Sequence, residues 1–512
     1  MTRHPLIYSD FPDPDIIRVG DTYYMISTTM HFFPGASVLR SYDLLNWELI
    51  GHVYEALDNT PAQQLQTGNI YGQGMWAPSF RYHRGTFYLC FAANDTKQTY
   101  LFTTQDPAGP WKKQLIEGFY HDSSLLFDDD GRVYLVYGNR TIHLLELNAE
   151  LTAPKPDGLS RIIVQDTSDA ILGYEGAHLH KHNGCYYLFF INWPRTGTKR
   201  RTAWCFKSDT LDGEFVGRVI IDHDLGFFNN GVAQGGMIDT PAGAWYLFMF
   251  QDRGAVGRVP ILLPMVWDGD GYPAVADGGF DQAISTIDNE PTHVYTPLNA
   301  SDDFRYTVGE PLKPCWQFNH QPHNHLWSVT DRPSAFRLTT GQLSVNLTQA
   351  PNTLTQRTTG PVSTATVTLD AAGLQDGDYA GLCTLQGCYA AIAVTREQGQ
   401  YYLLMFGREA DYTVRMGQVA DTQAPIEYKR IALSGQMVTL RATADFTDLS
   451  DQVTFEYLHG EQWVQLGPSH KLHFRLDHFT GCRFGLFNYA TQSTGGVADF
   501  LNFHYTTASP HA

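Results

Sequence analysis

Three carboxylates in the first half of the chain, Asp13, Asp122 and Glu175, stand at equivalent distances ahead of a recurring aromatic motif. The motif is a Gly, a short spacer, a Tyr and an aliphatic residue: Gly20-Asp-Thr-Tyr-Tyr24-Met25, Gly85-Thr-Phe-Tyr88-Leu89, Gly131-Arg-Val-Tyr134-Leu135, Gly184-Cys-Tyr-Tyr187-Leu188 and Gly243-Ala-Trp-Tyr246-Leu247. Eleven residues before Tyr24 is Asp13, and twelve before Tyr88, Tyr134, Tyr187 and Tyr246 are Trp76, Asp122, Glu175 and Gln234. Three acids in five equivalent places exceed the share of Asp and Glu in the whole chain, 53 of 512. Carboxylates crowded into one partly desolvated cleft raise one another's pKa, which is costly unless used. The same crowding lets an acid and a base coexist at neutral pH. Hydrolysis of a glycosidic bond needs that pair: one carboxylic acid protonates the leaving oxygen while a carboxylate activates water or attacks the sugar. Trp76 would supply an apolar face for a sugar ring.

Each residue also has a structural reading. Asp13, in Phe11-Pro-Asp-Pro-Asp15, can cap a Pro-flanked turn, and Asp122 can bond backbone amides at a strand start. Glu175 sits between glycines, where a backbone comes close to something. Asp128-Asp-Asp-Gly131 has the look of a Ca²⁺ loop, but the tip of a hairpin is the favoured reading. His178, His180 and His182 alternate along one strand face, as metal ligands or as the polar side of a strand.

The elements that must position these residues follow from the repeat. The five Tyr positions are separated by 64, 46, 53 and 59 residues. Each interval holds one four-stranded β-blade, with the Gly at the hairpin leading into its second strand. Helix-period stretches are scarce, so the economical arrangement is a five-bladed β-propeller with the counted residues facing its channel; the alternative is a two-sheet sandwich of irregular strands. The repeat stops after Val275, and Asp281 to Asp302 reads as a polar connection containing Pro291 and Pro297. Alternating runs such as Ala365-Thr-Val-Thr-Leu369 and Tyr401-Tyr-Leu-Leu-Met405 then predict a β-sandwich. The expected division is 1–290 for the propeller and 300–512 for the sandwich, in an all-β chain.

The composition narrows the partners. A net charge of −18, from 35 Lys+Arg and 53 Asp+Glu, excludes duplex nucleic acid and anionic membrane surfaces as partners. No stretch reaches the ~20 apolar residues of a membrane span. The N-terminal residues lack the apolar core of a signal peptide, which predicts a cytoplasmic protein. Seven cysteines without a CxxC pair imply neither a disulfide framework nor a zinc site.

With these residues in hand, the chain resembles glycoside hydrolase family 43, the five-bladed-propeller β-xylosidases and α-L-arabinofuranosidases. In the first half the resemblance rests on Phe11-Pro-Asp-Pro-Asp15, Phe32-Phe-Pro-Gly35, Met75-Trp-Ala-Pro78, Asp122 before Leu125-Leu-Phe127, Tyr174-Glu-Gly176 and Gln251-Asp-Arg-Gly-Ala-Val-Gly-Arg258. In the second half it rests on Asn352-Thr-Leu-Thr-Gln356, Asp376-Gly-Asp378, Ala380-Gly-Leu382, His478-Phe-Thr-Gly481 and Phe487-Asn-Tyr489, which look like the concanavalin-like sandwich of the xylosidase branch.

The resemblance implies an exo-acting, inverting enzyme that releases terminal α-L-arabinofuranose or β-D-xylose from small oligosaccharides. Asp13 would be the general base and Glu175 the general acid, ~6.5–9.5 Å apart to admit a water. Asp122 would raise and orient the acid. Arg258 would reach sugar and carboxylates, while Met30, Phe32, Trp76, Ala77 and Gln234 would line the sugar pocket and Phe479 would close it from the sandwich. Met30 replaces an aromatic, and Gln234 stands where many members carry a His near a central Ca²⁺. An amide holds calcium less firmly than several charged oxygens, so no cofactor is required and a channel calcium stays open, as does a homo-oligomer. The alternative is a non-catalytic carbohydrate-binding protein, which would gain little from three converging acids.

Overall fold

A computed structural model describes residues 5–410, 423–475 and 477–508. Five four-stranded antiparallel sheets follow one another through Val275, each running in sequence order from an innermost strand outward. The innermost strands are Asp15–Val19, Met75–His83, Ser124–Phe127, Ala170–His182 and Ala233–Asp239, and they touch in a closed ring. Gly20, Gly85, Gly131, Gly184 and Gly243 all occupy the turn into the second strand with positive φ, the backbone region such a tight reversal asks for. The five-bladed propeller expected from the motif spacing is the fold of this region.

The channel is cross-linked below its mouth by one guanidinium. Arg81 of blade 2 donates to Asp15 Oδ2 of blade 1 at 2.7 Å, and to Leu125 O and Ser124 Oγ of blade 3 at 2.7 and 2.8 Å. It also donates to Leu179 O of blade 4 at 3.3 Å. Burial alone would raise the Asp15 carboxyl, but Arg81 and the neighbouring His178, 3.3 Å away, hold it far below the usual carboxylate range. His178, buried, and His180, half-buried, therefore serve the channel wall, and Asp128 to Gly131 is a hairpin tip whose Asp128 is paired to Lys181.

The second half packs two sheets face to face. One runs Trp327–Ser328, Phe336–Thr339, Val497–Thr507, Val362–Asp370, Met437–Asp445, Gln452–His459, Gln462–Gln465, and shows the period-two burial of a sheet with one wet face: Ala365, Val367 and Leu369 are inside, their neighbours partly exposed. The other contains Leu354–Arg357, Arg483–Ala490 and Asp378–Leu385, buried on both faces because its outer side rests on the propeller.

The two units are joined by chain pairing as well as by packing. Phe32–Phe33, from the propeller half, pairs with Gln317–Asn319 and forms the edge strand of that second sheet. Asp10 accepts from the backbone N–H groups of Arg258 and Gly481, both at 2.8 Å, and so ties the propeller's first and fifth blades to the segment that carries Phe479. Arg357 donates to Asp10 O at 2.8 Å and lies 4.3 Å above the Phe11 ring.

Candidate active site

At the channel mouth each blade makes one left-handed step just before or within its innermost strand: Asp13 (φ 49°), Ala77 (30°), Asp122 (48°), Gly176 (66°) and Gln234 (55°). In blades 2, 4 and 5 the same place breaks the strand register, between Trp76 and Ser79, Glu175 and His178, and Ala233 and Gly235. Such bulges re-aim a side chain that a regular strand would direct elsewhere. Non-glycine residues in this region cost of order 1–3 kcal/mol each and persist where surrounding structure holds them. At Gly176 a side chain could not fit: a Cβ there would lie 2.5 Å from Cδ of Gln234. Gln234 is thereby packed against the backbone of Gly176, the residue after Glu175.

Asp13 is buried and held on both oxygens. Arg258 Nη1 donates to Oδ1 at 2.8 Å, and Thr28 Oγ1 donates to Oδ2 at 2.8 Å. Arg258 is itself clamped between two rings, 4.7 Å from Phe250 of blade 5 and 4.3 Å from Phe479 of the sandwich. Its Nε faces Asp252 Oδ1 at 3.4 Å, and Asp252 also pairs with Arg201. The charges alternate along Arg201, Asp252, Arg258 and Asp13, so each buried ion has an opposite neighbour, the condition for keeping ions in a dry site. Burial opposes the charge on Arg258, yet Asp13 and Asp252 keep its pKa raised.

Asp122 and Glu175 meet on the opposite side. Asp122 Oδ2 accepts from Gly176 N at 3.1 Å, which fixes the backbone immediately after Glu175. Glu175 Oε2 accepts from Asn139 Nδ2. The His121 ring lies between the two acids, its Nε2 3.6 Å from Asp122 Oδ2 and 3.7 Å from Glu175 Oε2. Burial pushes the Asp122 carboxyl up to about 6; the His121 charge opposes this, and Glu175 and Asp13 add to it. Asp122 in turn raises His121 to about 9, against its burial and with help from Glu175. The walls are aromatic: Trp76 stands 5.9 Å from His121 and 5.6 Å from Phe479. The Trp76 indole N–H is buried without a protein acceptor, a donor a ligand hydroxyl could satisfy.

Contacts link Asp13, Arg258, Phe479, Trp76, His121, Asp122 and Glu175 around one cleft, with Gln234 packed on Gly176 and Ala77 next to Trp76 in the chain. Met30 is buried beside it, its backbone paired in both directions with Met75. Phe32 is not part of the cleft, contrary to the expectation. Strand pairing with Asn319 turns its ring into the sandwich, 3.5 Å from the Arg483 guanidinium and among Leu347, Cys383 and Phe487. The sequence did not single out His121, Asn139, Arg201, Asp252 or Thr28. His121 adjoins Asp122 and Asp252 lies within the quoted Gln251–Arg258 run, so both were within reach; Asn139 ends the second strand of blade 3 and Arg201 precedes the third strand of blade 4, positions that the motif does not index.

The residues fit a calcium ion poorly. Ca²⁺ takes six to eight oxygens, whereas among the described residues the close ligand group is one imidazole nitrogen with two carboxylates, from His121, Asp122 and Glu175. Gln234 adds a single amide packed on Gly176.

Residues 2–273 match the family model of glycosyl hydrolases family 43, and residues 301–506 match that of the beta xylosidase C-terminal concanavalin A-like domain. A beta-xylosidase of Formosa agariphila is 26% identical over 99% of this chain and 91% of its own length. A non-reducing end alpha-L-arabinofuranosidase of Bacteroides ovatus is 28% identical over 74% of this chain and 73% of its own. Among solved structures, a bifunctional GH43-CE protein of Bacteroides eggerthii superposes with a TM-score of 0.90 at 40% identity, covering 99% of this chain. The chain spans 64% of that bifunctional protein's length.

Proposed function

The chain belongs to glycosyl hydrolases family 43, a family of inverting glycosidases, and from that premise we propose that it releases terminal α-L-arabinofuranose or β-D-xylose from short arabino- or xylo-oligosaccharides. The observation that carries this reading is the meeting of three carboxylates at the channel mouth under Trp76 and Phe479. The relatives named beta-xylosidase and alpha-L-arabinofuranosidase supply the two sugars.

In the proposed reaction Asp13 is the base. Arg258 and Thr28 hold its carboxylate oriented, so that it takes a proton from a water as the water oxygen bonds to the anomeric carbon. Glu175 gives its proton to the leaving oxygen as the glycosidic bond breaks on the opposite face. One displacement inverts the anomeric centre. Asp122 fixes the Glu175 backbone through Gly176 N and places a second carboxyl beside the acid. Trp76 and Phe479 cover the ring faces, and Phe479 makes the sandwich part of the pocket, closing it to internal positions of a polymer. The reaction needs no resident cofactor. The seven cysteines are unpaired thiols, six of them buried, which supports an intracellular, reducing compartment.

The test is turnover of p-nitrophenyl α-L-arabinofuranoside and β-D-xyloside by the wild type and by Glu175→Ala. We expect hydrolysis of at least one glycoside, reduced by ~10²–10⁴-fold in the variant, the usual worth of a positioned acid. A variant as active as the wild type removes Glu175 from the acid role; a wild type inert on both glycosides removes the substrate class.

A further inference from the structure

His121 stands between two acids, where an inverting site has no evident use for a cation. Its Nε2 lies 3.6 Å from Asp122 Oδ2 and 3.7 Å from Glu175 Oε2, within ion-pair range of both acids. The ring is held by aromatic neighbours, Trp76 at 5.9 Å and Phe119 at 6.5 Å, so its position does not depend on the charges alone. The titratable groups facing it are Asp122 from its own segment, Glu175 from blade 4, and Lys97 from blade 2, whose ammonium lies over the Phe119 ring at 5.1 Å. Lys97 repels the imidazolium, and the two carboxylates outweigh it.

A cation at this distance from a general acid works against the acid's task, because it favours the ionised carboxylate. Without it, however, Asp122, Glu175 and Asp13 would share one cleft with Arg258 and Arg201 as counter-charges, and those guanidinium groups are paired to Asp13 and Asp252. We propose that His121, held as an imidazolium between Asp122 and Glu175, is a positioning residue whose charge balances the two acids and sets the alkaline edge of activity by fixing how readily Glu175 ionises. The inference rests on the reading of Glu175 as general acid.

The consequence has a sign. Removing the positive charge makes both neighbouring carboxyls harder to ionise, so Glu175 stays protonated to higher pH. The limb of the pH profile that reports loss of the acid's proton must then move up. The limb governed by Asp13, whose carboxylate is paired to Arg258 and Thr28 rather than to His121, must stay.

The experiment compares kcat/KM against pH for wild type, His121→Gln and His121→Lys on the better p-nitrophenyl glycoside. We expect the alkaline limb of His121→Gln to rise by about one pH unit or more, the low end of the effect of an opposite charge at this range. His121→Lys, which restores a positive charge, should return the limb most of the way while leaving the acid limb unmoved. A role limited to packing against Trp76 would change kcat or KM and leave both limbs in place, and coincident limbs in His121→Gln and wild type overturn the proposal. If His121→Gln fails to fold, histidine-ring NMR of the wild type decides: an imidazole that stays protonated through neutrality and loses its shift in Glu175→Gln supports the proposal, and a set of imidazoles all neutral at pH 7.5 overturns it. A wild type that hydrolyses neither glycoside, or a Glu175→Ala variant of full activity, defeats the functional reading itself. A Glu175-dependent enzyme with an unmoved His121→Gln limb defeats this inference alone.

Discussion

The working carboxylates differ mainly in what holds them. Asp13 is gripped by a guanidinium and a hydroxyl at 2.8 Å each, which suits a group that must stay ionised to accept a proton. Glu175 has an amide donor, a neighbouring carboxyl and a histidine, a softer environment suited to a group that must change protonation state. Arg258 is the hinge of this difference, since it also spans Asp252 and sits between Phe250 and Phe479. A lysine keeps the charge but loses the planar fork and the stacking. Arg258→Lys should therefore leave the protein folded while lowering kcat/KM on the order of a hundredfold, the scale of a misplaced reacting group. The checking measurement is steady-state kinetics beside a thermal melt; kinetics within a fewfold of wild type would show that charge alone suffices at this position. Asp13, Asp122 and Glu175 were legible because a repeat indexed them. Asn139 and Arg201 were not, because each reaches the site from a strand end whose direction depends on blade twist, and spacing in sequence carries no record of that.

At the scale of elements, the Gly–Tyr motif foretold the blades because it is local: a glycine turn, then a strand whose alternate residues bury. The left-handed steps at the channel mouth were not foretold. In blades 1 and 3 the step precedes a strand without a bulge, and in blades 2, 4 and 5 it falls within one. Phe32 shows the same limit from the other side: its flanking motif was read correctly, but pairing with Gln317–Asn319 joins residues nearly three hundred positions apart, and no local pattern announces it. The step at Gly176 is the most exposed to test. Alanine there would adopt an unfavoured φ, about 1–2 kcal/mol, and would press its Cβ into the Gln234 side chain, an overpacking of typically ~1–3 kcal/mol. Gly176→Ala should lower the melting temperature and, because the Gly176 N–H contact with Asp122 and the adjacent Glu175 must shift, lose activity out of proportion to the loss of stability. Activity that falls only as the folded fraction falls would show that the step is structural and no more.

For the whole molecule, the propeller and sandwich meet through a core of imidazoles with a defined pH response. His31 from the propeller and His320 and His478 from the sandwich lie with ring centroids 5.2–5.3 Å from His31, and Tyr71 stacks on His478 at 4.0 Å. All are buried, and both ring nitrogens of His31 and of His478 lack a partner among the described residues. Burial holds His320 down to about 3 and places His31 and His478 well below the ordinary histidine range, the neighbouring imidazoles adding to the effect. The folded state thus refuses protons that the unfolded chain accepts near pH 6.5. Stability from this cluster is intact above that pH and declines as pH falls toward the folded values, by up to ~1.4 kcal/mol per pH unit for each group that must be protonated on unfolding. Buried carboxyls act in the opposite sense over part of the same window: burial raises Asp10, Asp378 and Asp451, and acidification relieves their cost. The net profile therefore mixes both signs, and a difference between two proteins isolates the cluster. His478→Phe keeps the ring that stacks on Tyr71 and removes one titrating group. Its denaturant stability should approach or pass that of the wild type as pH is lowered from 7.5 to 5, with the difference in ΔG changing by about 1 kcal/mol per pH unit below 6.5. A difference constant across that range would mean that His478 takes up no extra proton on unfolding. Because His478 immediately precedes Phe479, the variant should also retain pocket closure, and so activity on the aryl glycoside, at lower pH than the wild type after long incubation.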